Sequence, residues 1–181
     1  LVHISTDYVF DGRKGAPYVE SDAPSPLNAY GRTKLAGEQG VAAGNLRHLI
    51  VRTSWVYSPY GHNFVRTILR LASERDRLPI VADQRGCPTA AQDVANVCLS
   101  LALRCAASPE SGPYGLYHFA GAGDASWFQF ANAIVEIAAE RLGRLPQIVP
   151  IRTSDYPTPA VRAADTRLDC AAVVCEFGVK L

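Results

Sequence analysis

The sequence places a tyrosine four residues before a lysine, at Tyr30 and Lys34. Four residues is about one turn of an α-helix, so the two side chains would share one face, with the ammonium beside the phenol. A neighbouring cation lowers the pKa of a phenol. The pair could therefore donate a proton to a carbonyl oxygen near neutral pH, which is general acid catalysis. An ordinary helix surface explains the same spacing, so the interpretation depends on what surrounds the pair.

Polar residues that follow an apolar segment give the pair its context. Residues 1–4 are mostly apolar and predict a strand, and Ser5, Thr6 and Asp7 come directly after it. Open α/β sheets bind their ligands at the carboxyl ends of their strands. Residues of these types also serve as ordinary turn residues. Together with Tyr30, however, they favour a functional site.

The elements that must position these residues alternate between strand and helix. Residues 5–27 predict a long irregular segment, Asn28 caps a helix that runs to about Ala43, and residues 48–52 predict a second strand. Small residues in this helix predict close packing against a flat surface. The remaining pattern predicts helices over 63–75, 89–104, 126–142 and 168–177, and strands over 78–81, 115–119 and 147–151. A strand, helix and strand in this order indicate a parallel α/β fold.

Composition and charge exclude several classes of protein. The chain has 181 residues with a formal net charge of +1, which gives no electrostatic reason to expect a nucleic-acid partner. Its apolar segments are too short to cross a membrane. Five cysteines without CxxC spacing predict free thiols in a reducing, cytoplasmic compartment, and the four histidines lack the spacing of zinc ligands. We therefore predict no metal site.

Several runs of residues resemble those of one enzyme family. They are Ser5-Thr6-Asp7-Tyr8-Val9-Phe10-Asp11-Gly12, Ser25-Pro26-Leu27-Asn28-Ala29-Tyr30-Gly31-Arg32-Thr33-Lys34, Arg52-Thr53-Ser54-Trp55-Val56-Tyr57, Gly61-His62-Asn63-Phe64, Asp83-Gln84-Arg85-Gly86-Cys87-Pro88-Thr89 and Pro157-Thr158-Pro159. The chain resembles the extended short-chain dehydrogenases, and among them the dTDP-4-dehydrorhamnose reductases. The tyrosine and lysine pair is general to the superfamily, whereas the runs at 52–57 and 83–89 are specific signals.

This resemblance implies a reaction and a cofactor. The reaction is reduction of the C4 ketone of dTDP-4-dehydro-L-rhamnose to dTDP-L-rhamnose by NADPH or NADH, in the synthesis of cell-surface polysaccharide. By the same resemblance, Tyr30 protonates the new alkoxide, and Lys34 lowers the pKa of Tyr30 and holds the nicotinamide ribose. Thr6 is then expected to donate a hydrogen bond to the ketone oxygen.

Four further contacts are implied by the resemblance. Ile4 is expected on the nicotinamide side, and Asp7 and Trp55 are expected to contact the sugar. Arg162 is expected to bind the nucleotide diphosphate, an anion that suits a bidentate guanidinium. Core packing for Trp55 and a solvent-facing position for Arg162 are the alternatives.

The chain departs from the family pattern in two places. It reads Arg162-Ala163 and later Thr166 where the family usually has Arg-Pro and a serine, which leaves the course of this loop open. Gln92 stands where a magnesium-binding carboxylate would be expected in some members, so no metal dependence is predicted.

The resemblance also implies the domain organisation. Residues 1–60 are expected to form the C-terminal part of a Rossmann-like cofactor domain, and residues 61–181 mainly a smaller α/β substrate-binding region, with segments that return to the Rossmann sheet. No GxGxxG run occurs in the sequence. We therefore expect the first strands of the cofactor domain, with their glycine-rich fingerprint, to lie outside these residues, which puts the activity of the isolated chain in question.

Two alternatives remain open from the sequence. One is another extended dehydrogenase acting on nucleotide sugars, such as an epimerase or a dehydratase, which would keep its cofactor bound. The other is a non-catalytic binding or regulatory module of the same fold. A dTDP-sugar is the expected partner, no nucleic acid or membrane partner is expected, and a homodimer is left open.

Overall fold

Strands and helices alternate along the whole chain, and the computed structural model describes residues 1–181. The strands are β1 (Val2–Thr6), β2 (Leu49–Thr53), β3 (Val56–Tyr57), β4 (Arg77–Val81), β5 (Arg85–Gly86), β6 (Thr89–Ala90), β7 (Gly115–His118), β8 (Ala125–Ser126) and β9 (Gln147–Ile151). The helices are α1 (Ala29–Gly44), α2 (Phe64–Glu74), α3 (Ala91–Ala107), α4 (Trp127–Leu142) and α5 (Ala171–Phe177). Short 3-10 turns span Asp7–Val9 and Thr153–Asp155.

The main sheet has three parallel strands in the order β1-β2-β7. Its register pairs Thr6 with Thr53, so the carboxyl ends of β1 and β2 are level with each other. Strand β2 lies in the middle and is buried along its whole length, as expected for a parallel strand with neighbours on both sides. The α/β fold with a parallel sheet that the sequence predicts is confirmed.

The larger hydrophobic core packs α3 and α5 against this sheet. Residues Leu49 and Val51 of β2 meet Val97 and Leu101 of α3, and Val173 of α5 is fully buried in the same cluster. Strand β7 belongs to the main sheet although it lies far beyond residue 60 in sequence.

A smaller core forms around the parallel pair β4 and β9. Helices α2 and α4 contact each other and cover this pair. Its buried residues are Ile68, Ala72, Leu78, Ala131, Ile134 and Val135. Since α2, β4, α4 and β9 come from residues 64–81 and 127–151, the chain leaves the main sheet twice to build this second unit.

The helix ends follow the signals in the sequence. The side-chain oxygen of Asn28 accepts a hydrogen bond from the Gly31 amide at 2.9 Å, which caps α1 as predicted. Ser126 caps α4 and forms a reciprocal capping box with Gln129. Gly178 ends α5 with a φ of 66°, a left-handed conformation in which glycine has no steric cost.

A glycine allows α1 to lie close to the end of β1. A Cβ atom added at Gly31 would lie 2.1 Å from the carbonyl oxygen of Tyr8, far inside van der Waals contact. The close packing predicted from the small residues of this helix is therefore confirmed at Gly31. The neighbouring Tyr30 is held next to the carboxyl end of β1 as a result.

Several predicted boundaries were wrong. Strand β1 continues to Thr6 instead of ending at Ile4, so the irregular segment is shorter than predicted. Helix α5 begins at Ala171, and Thr89 lies in strand β6 before helix α3. The two-residue strands β3, β5, β6 and β8 were not predicted, because so short a segment has no periodicity to read.

None of the helices is long and apolar enough to span a bilayer.

Candidate active site

A cavity of about 290 Å³ lies at the carboxyl ends of β1 and β2, where a parallel sheet usually binds its ligand. The structure brings six of the seven predicted site residues to this cavity. Its lining consists of Ile4, Ser5, Thr6, Asp7, Tyr8, Tyr30, Lys34, Thr53, Trp55, Val56 and Trp127. The seventh predicted residue, Arg162, lines a different cavity.

Tyr30 stands in the first turn of α1 and is 55% exposed. Its ring meets the ring of Tyr8 edge to face, with the centroids 6.1 Å apart. This arrangement is a favourable one for aromatic pairs, and it supports the ring from one side while the side chain stays accessible. A ligand in the cavity can therefore reach the phenol.

Lys34 lies one helical turn after Tyr30 and is anchored to β1. Its Nζ donates a hydrogen bond to the carbonyl oxygen of Ile4 at 2.5 Å. An ammonium group has three hydrogens to donate, so one bond to the protein leaves two. The side chain of Ile4 is 48% exposed beside it. Lys34 and Ile4 together form one edge of the cavity, which is partly cationic and partly apolar.

Asp7 and Thr6 form a hydrogen-bonded group at the end of β1. Asp7 is only 2% exposed, and its carboxylate accepts hydrogen bonds from Thr6 at 3.0 Å, Ser54 at 2.9 Å and Thr166 at 2.5 Å. Burial raises the pKa of Asp7 above its usual value, although these hydroxyl donors oppose the shift. Both carboxylate oxygens are thus used by the protein, and the contact between Asp7 and a sugar stays a prediction.

Trp55 lines the cavity in a stack with a second tryptophan. The rings of Trp55 and Trp127 lie 3.4 Å apart between centroids and are inclined by 4°. The backbone of Trp55 has a φ of 45°, an unusual conformation for a large residue. Gly86 lies beneath the ring, and a Cβ atom added there would be 2.4 Å from the indole. Trp55 is therefore packed against other residues and also lines the cavity. Core packing alone does not describe its position, and its contact with the sugar stays a prediction.

A second cavity, of about 450 Å³, is also lined by Trp127. Its lining is largely apolar and comes from α2, β4 and the proline-rich segment, and it also contains Arg75 and Arg162. The full set is Phe64, Thr67, Ile68, Leu71, Arg75, Leu78, Pro79, Ile80, Val81, Gln84, Trp127, Tyr156, Thr158 and Arg162. The two cavities thus share Trp127, whose ring stacks on that of Trp55.

Gln84 fixes the position of Trp127. The indole Nε1 of Trp127 donates to Gln84 Oε1 at 3.2 Å, and Gln84 Nε2 donates to Thr153 Oγ1 at 3.0 Å. Neither Gln84 nor Trp127 is predicted from the sequence to be a site residue. Gln84 stood within a quoted motif, whereas Trp127 looked like an ordinary residue in the first turn of an amphipathic helix.

A buried ion pair holds α1 against the sheet behind Lys34. Glu38 accepts hydrogen bonds from Arg52 Nε at 2.9 Å, from an Arg52 terminal nitrogen at 2.7 Å and from Ser5 Oγ at 2.5 Å. The side chains of Glu38 and Arg52 are 6% and 3% exposed. Glu38 follows Lys34 by four residues, so it lies on the same helix face and anchors the turn next to the site.

His118 in β7 completes this buried group. Its Nε2 lies 3.4 Å from Arg52, and its Nδ1 lies 3.0 Å from the carbonyl oxygen of Tyr18. A neutral imidazole with its hydrogen on Nδ1 satisfies both contacts. Burial lowers the pKa of His118, Arg52 lowers it further, and Glu20 opposes the shift. The ring therefore acts here as a neutral structural group.

No cluster of three or more histidine, cysteine, aspartate or glutamate side chains is arranged to hold a metal ion. Gln92 is exposed on α3 and donates to Asn96 at 3.1 Å. The departure at Thr166 has a clear role, because its hydroxyl donates to Asp7. A serine at this position could make the same hydrogen bond.

Comparison with known proteins agrees with this geometry. A family model described as the RmlD substrate binding domain matches residues 1–181. The chain belongs to this family. A curated relative, the dTDP-4-dehydrorhamnose reductase of Sinorhizobium fredii, is 46% identical over 181 residues, which are 100% of this chain and 61% of the relative. The resemblance that the sequence motifs predict is thus confirmed.

Solved structures of two further relatives have the same fold. The dTDP-4-dehydrorhamnose reductase of Clostridium acetobutylicum superposes with a TM-score of 0.84 at 39% identity, covering 94% of this chain and 56% of its own. The reductase of Bacillus anthracis in complex with NADP gives a TM-score of 0.78 at 37% identity, covering 93% and 56%. The chain therefore spans well under two thirds of the length of the reductases it matches.

Proposed function

We propose that this chain carries the catalytic and substrate-binding residues of a dTDP-4-dehydrorhamnose reductase, which reduces the C4 ketone of dTDP-4-dehydro-L-rhamnose to dTDP-L-rhamnose. One observation carries the proposal. Tyr30 and Lys34 of α1 line a single cavity at the carboxyl end of the sheet together with Thr6, which lies in another part of the sequence. The reductases matched over the whole of this chain support the choice of substrate.

The edge of the cavity formed by Lys34 and Ile4 fits a nicotinamide cofactor. Lys34 retains two N–H donors for the ribose hydroxyls, and the half-exposed Ile4 offers an apolar surface for the nicotinamide ring. The cofactor, NADPH or NADH, would supply the hydride when bound. The NADP in the Bacillus anthracis reductase supports this assignment.

The residues of this chain would donate the proton and stabilise the charge that develops during the reaction. The Tyr30 hydroxyl donates its proton to the C4 oxygen as that oxygen becomes an alkoxide. The Lys34 ammonium stabilises the phenolate that remains on Tyr30. Thr6 stands at the end of β1 in the same cavity, and its hydroxyl would have to give up its hydrogen bond to Asp7 in order to donate to the ketone oxygen.

The second cavity is proposed to hold the nucleotide. Its apolar wall suits the thymine ring, and Arg162 can pair with the diphosphate. The stack of Trp55 on Trp127, the residue that lines both cavities, would then face the sugar, with Trp55 in contact with it. Asp7, whose carboxylate accepts three side-chain hydrogen bonds, would act on the sugar mainly by fixing Thr6 and Ser54.

Domain organisation, location and assembly complete the proposal. We propose that residues 1–60 belong to the cofactor domain and that residues 61–181 form mainly the substrate-binding region, with β7 returning to the main sheet.

Five free cysteines, three of them buried, support a cytoplasmic location. Leu99 and Leu103, which are 60% and 62% exposed on α3, support a homodimer, and the small net charge supports the absence of a nucleic-acid partner.

Tryptophan fluorescence provides a direct test. The only two tryptophans of the chain are Trp55 and Trp127, and both line the cavity, so a bound sugar should change their emission. We expect dTDP-L-rhamnose and dTDP to bind, with UDP-glucose as the mismatched control. Failure of the dTDP ligands to bind would refute the proposal.

The catalytic role of Tyr30 is tested with the phenylalanine variant. We expect Tyr30→Phe to lower the turnover of dTDP-4-dehydro-L-rhamnose by about 10²–10⁴-fold while dTDP-L-rhamnose still binds. Consumption of reduced nicotinamide is the measurement. Unchanged turnover would contradict the role of Tyr30. Protein-bound NAD released on denaturation would favour an epimerase or dehydratase, and sugar binding without turnover in a chain that includes the complete cofactor domain would favour a binding module.

A further inference from the structure

A buried hydroxyl in the catalytic cavity has no partner in the protein. Thr53, the last residue of β2, is only 5% exposed, and its Oγ1 makes no hydrogen bond. The residue lines the same cavity as Tyr30 and Lys34. A buried hydroxyl without a partner destabilises the folded protein, so such groups are rare and call for an explanation.

The other buried polar groups at this end of the sheet are satisfied. Ser5 donates to Glu38, and Ser54 donates to Asp7. Thr6 donates to Asp7 and accepts from the Tyr8 amide. The lack of a partner is therefore specific to Thr53 among the buried side-chain oxygens that line the cavity.

The hydrogen bonds of Thr6 make this difference relevant to the reaction. A threonine hydroxyl has one hydrogen, and that of Thr6 is directed to Asp7 Oδ1 at 3.0 Å. Thr6 can still accept a hydrogen bond, but it has no second hydrogen for a ligand oxygen. Thr53 is its register partner on the adjacent strand, and its own hydrogen is not used by the protein.

The position of Thr53 favours the sugar over the cofactor. The cofactor edge lies at β1, where Lys34 meets the carbonyl group of Ile4. Thr53 lies one strand further along the sheet and is followed, two residues later, by Trp55 of the tryptophan stack. Trp55 stacks on Trp127, which also lines the second cavity together with Arg162.

We propose that the Thr53 hydroxyl donates a hydrogen bond to an oxygen of the bound sugar and is a substrate-binding residue of this site. The proposal rests on the proposed function and adds to it a donor that Thr6, bonded to Asp7, does not supply. Because the Oγ1 atom itself is buried, rotation about χ1 must turn the hydroxyl into the cavity, where a sugar oxygen would give it the partner that it lacks in the protein. The cost of burying the hydroxyl in the free protein would then be recovered when substrate binds.

Replacing Thr53 by valine removes the hydroxyl and keeps a side chain of nearly the same shape. We would titrate the wild type, Thr53→Val and Thr53→Ser with dTDP-L-rhamnose and with dTDP, following tryptophan fluorescence. A net hydrogen bond of ordinary strength predicts that Thr53→Val binds dTDP-L-rhamnose between about two- and twelvefold more weakly. It should bind dTDP as the wild type does, and Thr53→Ser should retain affinity for both ligands.

Each other outcome has a definite meaning. If the wild type binds neither ligand, the proposed function fails and the role of Thr53 fails with it. If the wild type binds both ligands and Thr53→Val binds dTDP-L-rhamnose equally well, only the role of Thr53 is overturned. Equal weakening for both ligands also overturns it, because the effect would then not belong to the sugar. Loss of sugar affinity in Thr53→Ser would assign the effect to shape and not to the hydroxyl.

Discussion

Replacing Glu38 by alanine removes one half of the buried ion pair that joins α1 to the sheet. The Arg52 guanidinium would lose two hydrogen bonds, and its remaining contacts would be His118 and the face of Phe10, whose ring centroid is 5.0 Å away. Ser5 would lose its acceptor as well. A buried charge and a buried hydroxyl would both be left without their partner.

The size of the effect follows from the burial of the pair. Breaking a buried ion pair from one side costs about 3–5 kcal/mol, because the remaining charge stays out of water. Both side chains are at most 6% exposed, which places Glu38→Ala in this range. The stability of a whole domain is about 5–15 kcal/mol, so the loss is a large share of it. With an m-value of about 2 kcal/mol/M, the urea midpoint should fall by roughly 2 M.

A double variant that removes both charges of the ion pair should behave differently from either single variant. Replacing both partners, as in Glu38→Leu with Arg52→Met, removes the two charges together and leaves apolar side chains of similar volume. Such replacements are often neutral or stabilising by about 1–4 kcal/mol. The double variant should therefore be far more stable than either single variant.

Urea unfolding followed by circular dichroism measures these differences. Glu74→Ala is the matched control, because Glu74 pairs with Arg70 on the exposed surface of α2 at 2.9 Å. An exposed pair of this kind contributes only about 0.3–0.5 kcal/mol. The reasoning would be refuted if Glu38→Ala lost less than about 1 kcal/mol, or if the double variant lost the sum of the two single losses.

Three further outcomes are expected. Gly86→Ala should displace Trp55 and lower the free energy of unfolding by about 1–3 kcal/mol, because the new Cβ atom would lie 2.4 Å from the indole. A red shift in tryptophan emission would report the displacement, and an unchanged spectrum would argue against the stack. The pKa of His118 is lowered from 6.5 in the folded protein, so the unfolded chain binds more protons below that pH. The stability contributed by His118 should therefore be complete above about pH 6.5 and should fall as the pH drops towards the pKa of the folded protein. His118→Gln should flatten this pH dependence of the unfolding free energy between about pH 7.5 and about pH 5.5. Identical pH dependences of wild type and variant in urea unfolding would contradict this prediction. Thr53→Val should raise the free energy of unfolding by about 1 kcal/mol, because it removes a buried hydroxyl without a partner, and a loss of stability would show that the hydroxyl is satisfied in the protein.

The long elements of the fold could be predicted because each carries a local signal. Helix α4 has a capping serine, an amphipathic pattern and a terminal glycine, and the structure shows it between Trp127 and Leu142. Strand β2 is a short apolar run buried throughout. The two-residue strands were missed because they exist only through their partners. Strand β5, for example, pairs with β8 about 40 residues later.

The site divides in the same way. Tyr30 and Lys34 could be paired from sequence because a helix fixes the relation between positions four apart. Trp127 could not be assigned, because its stack with Trp55 joins residues from different parts of the chain. The partners of Asp7 are also distant, with Ser54 and Thr166 lying 47 and 159 residues away.

The sequence by itself determined the parallel α/β class, the position of the helix that carries Tyr30 and Lys34, and the family resemblance, because all three depend on local periodicity or on contiguous motifs. Only the tertiary structure decided which hydroxyls keep a free hydrogen. Thr6 and Thr53 are the same residue type at the same level of adjacent strands. One is bonded to Asp7 and the other has no protein partner, and that difference arises from side chains brought together by folding, which no local pattern encodes.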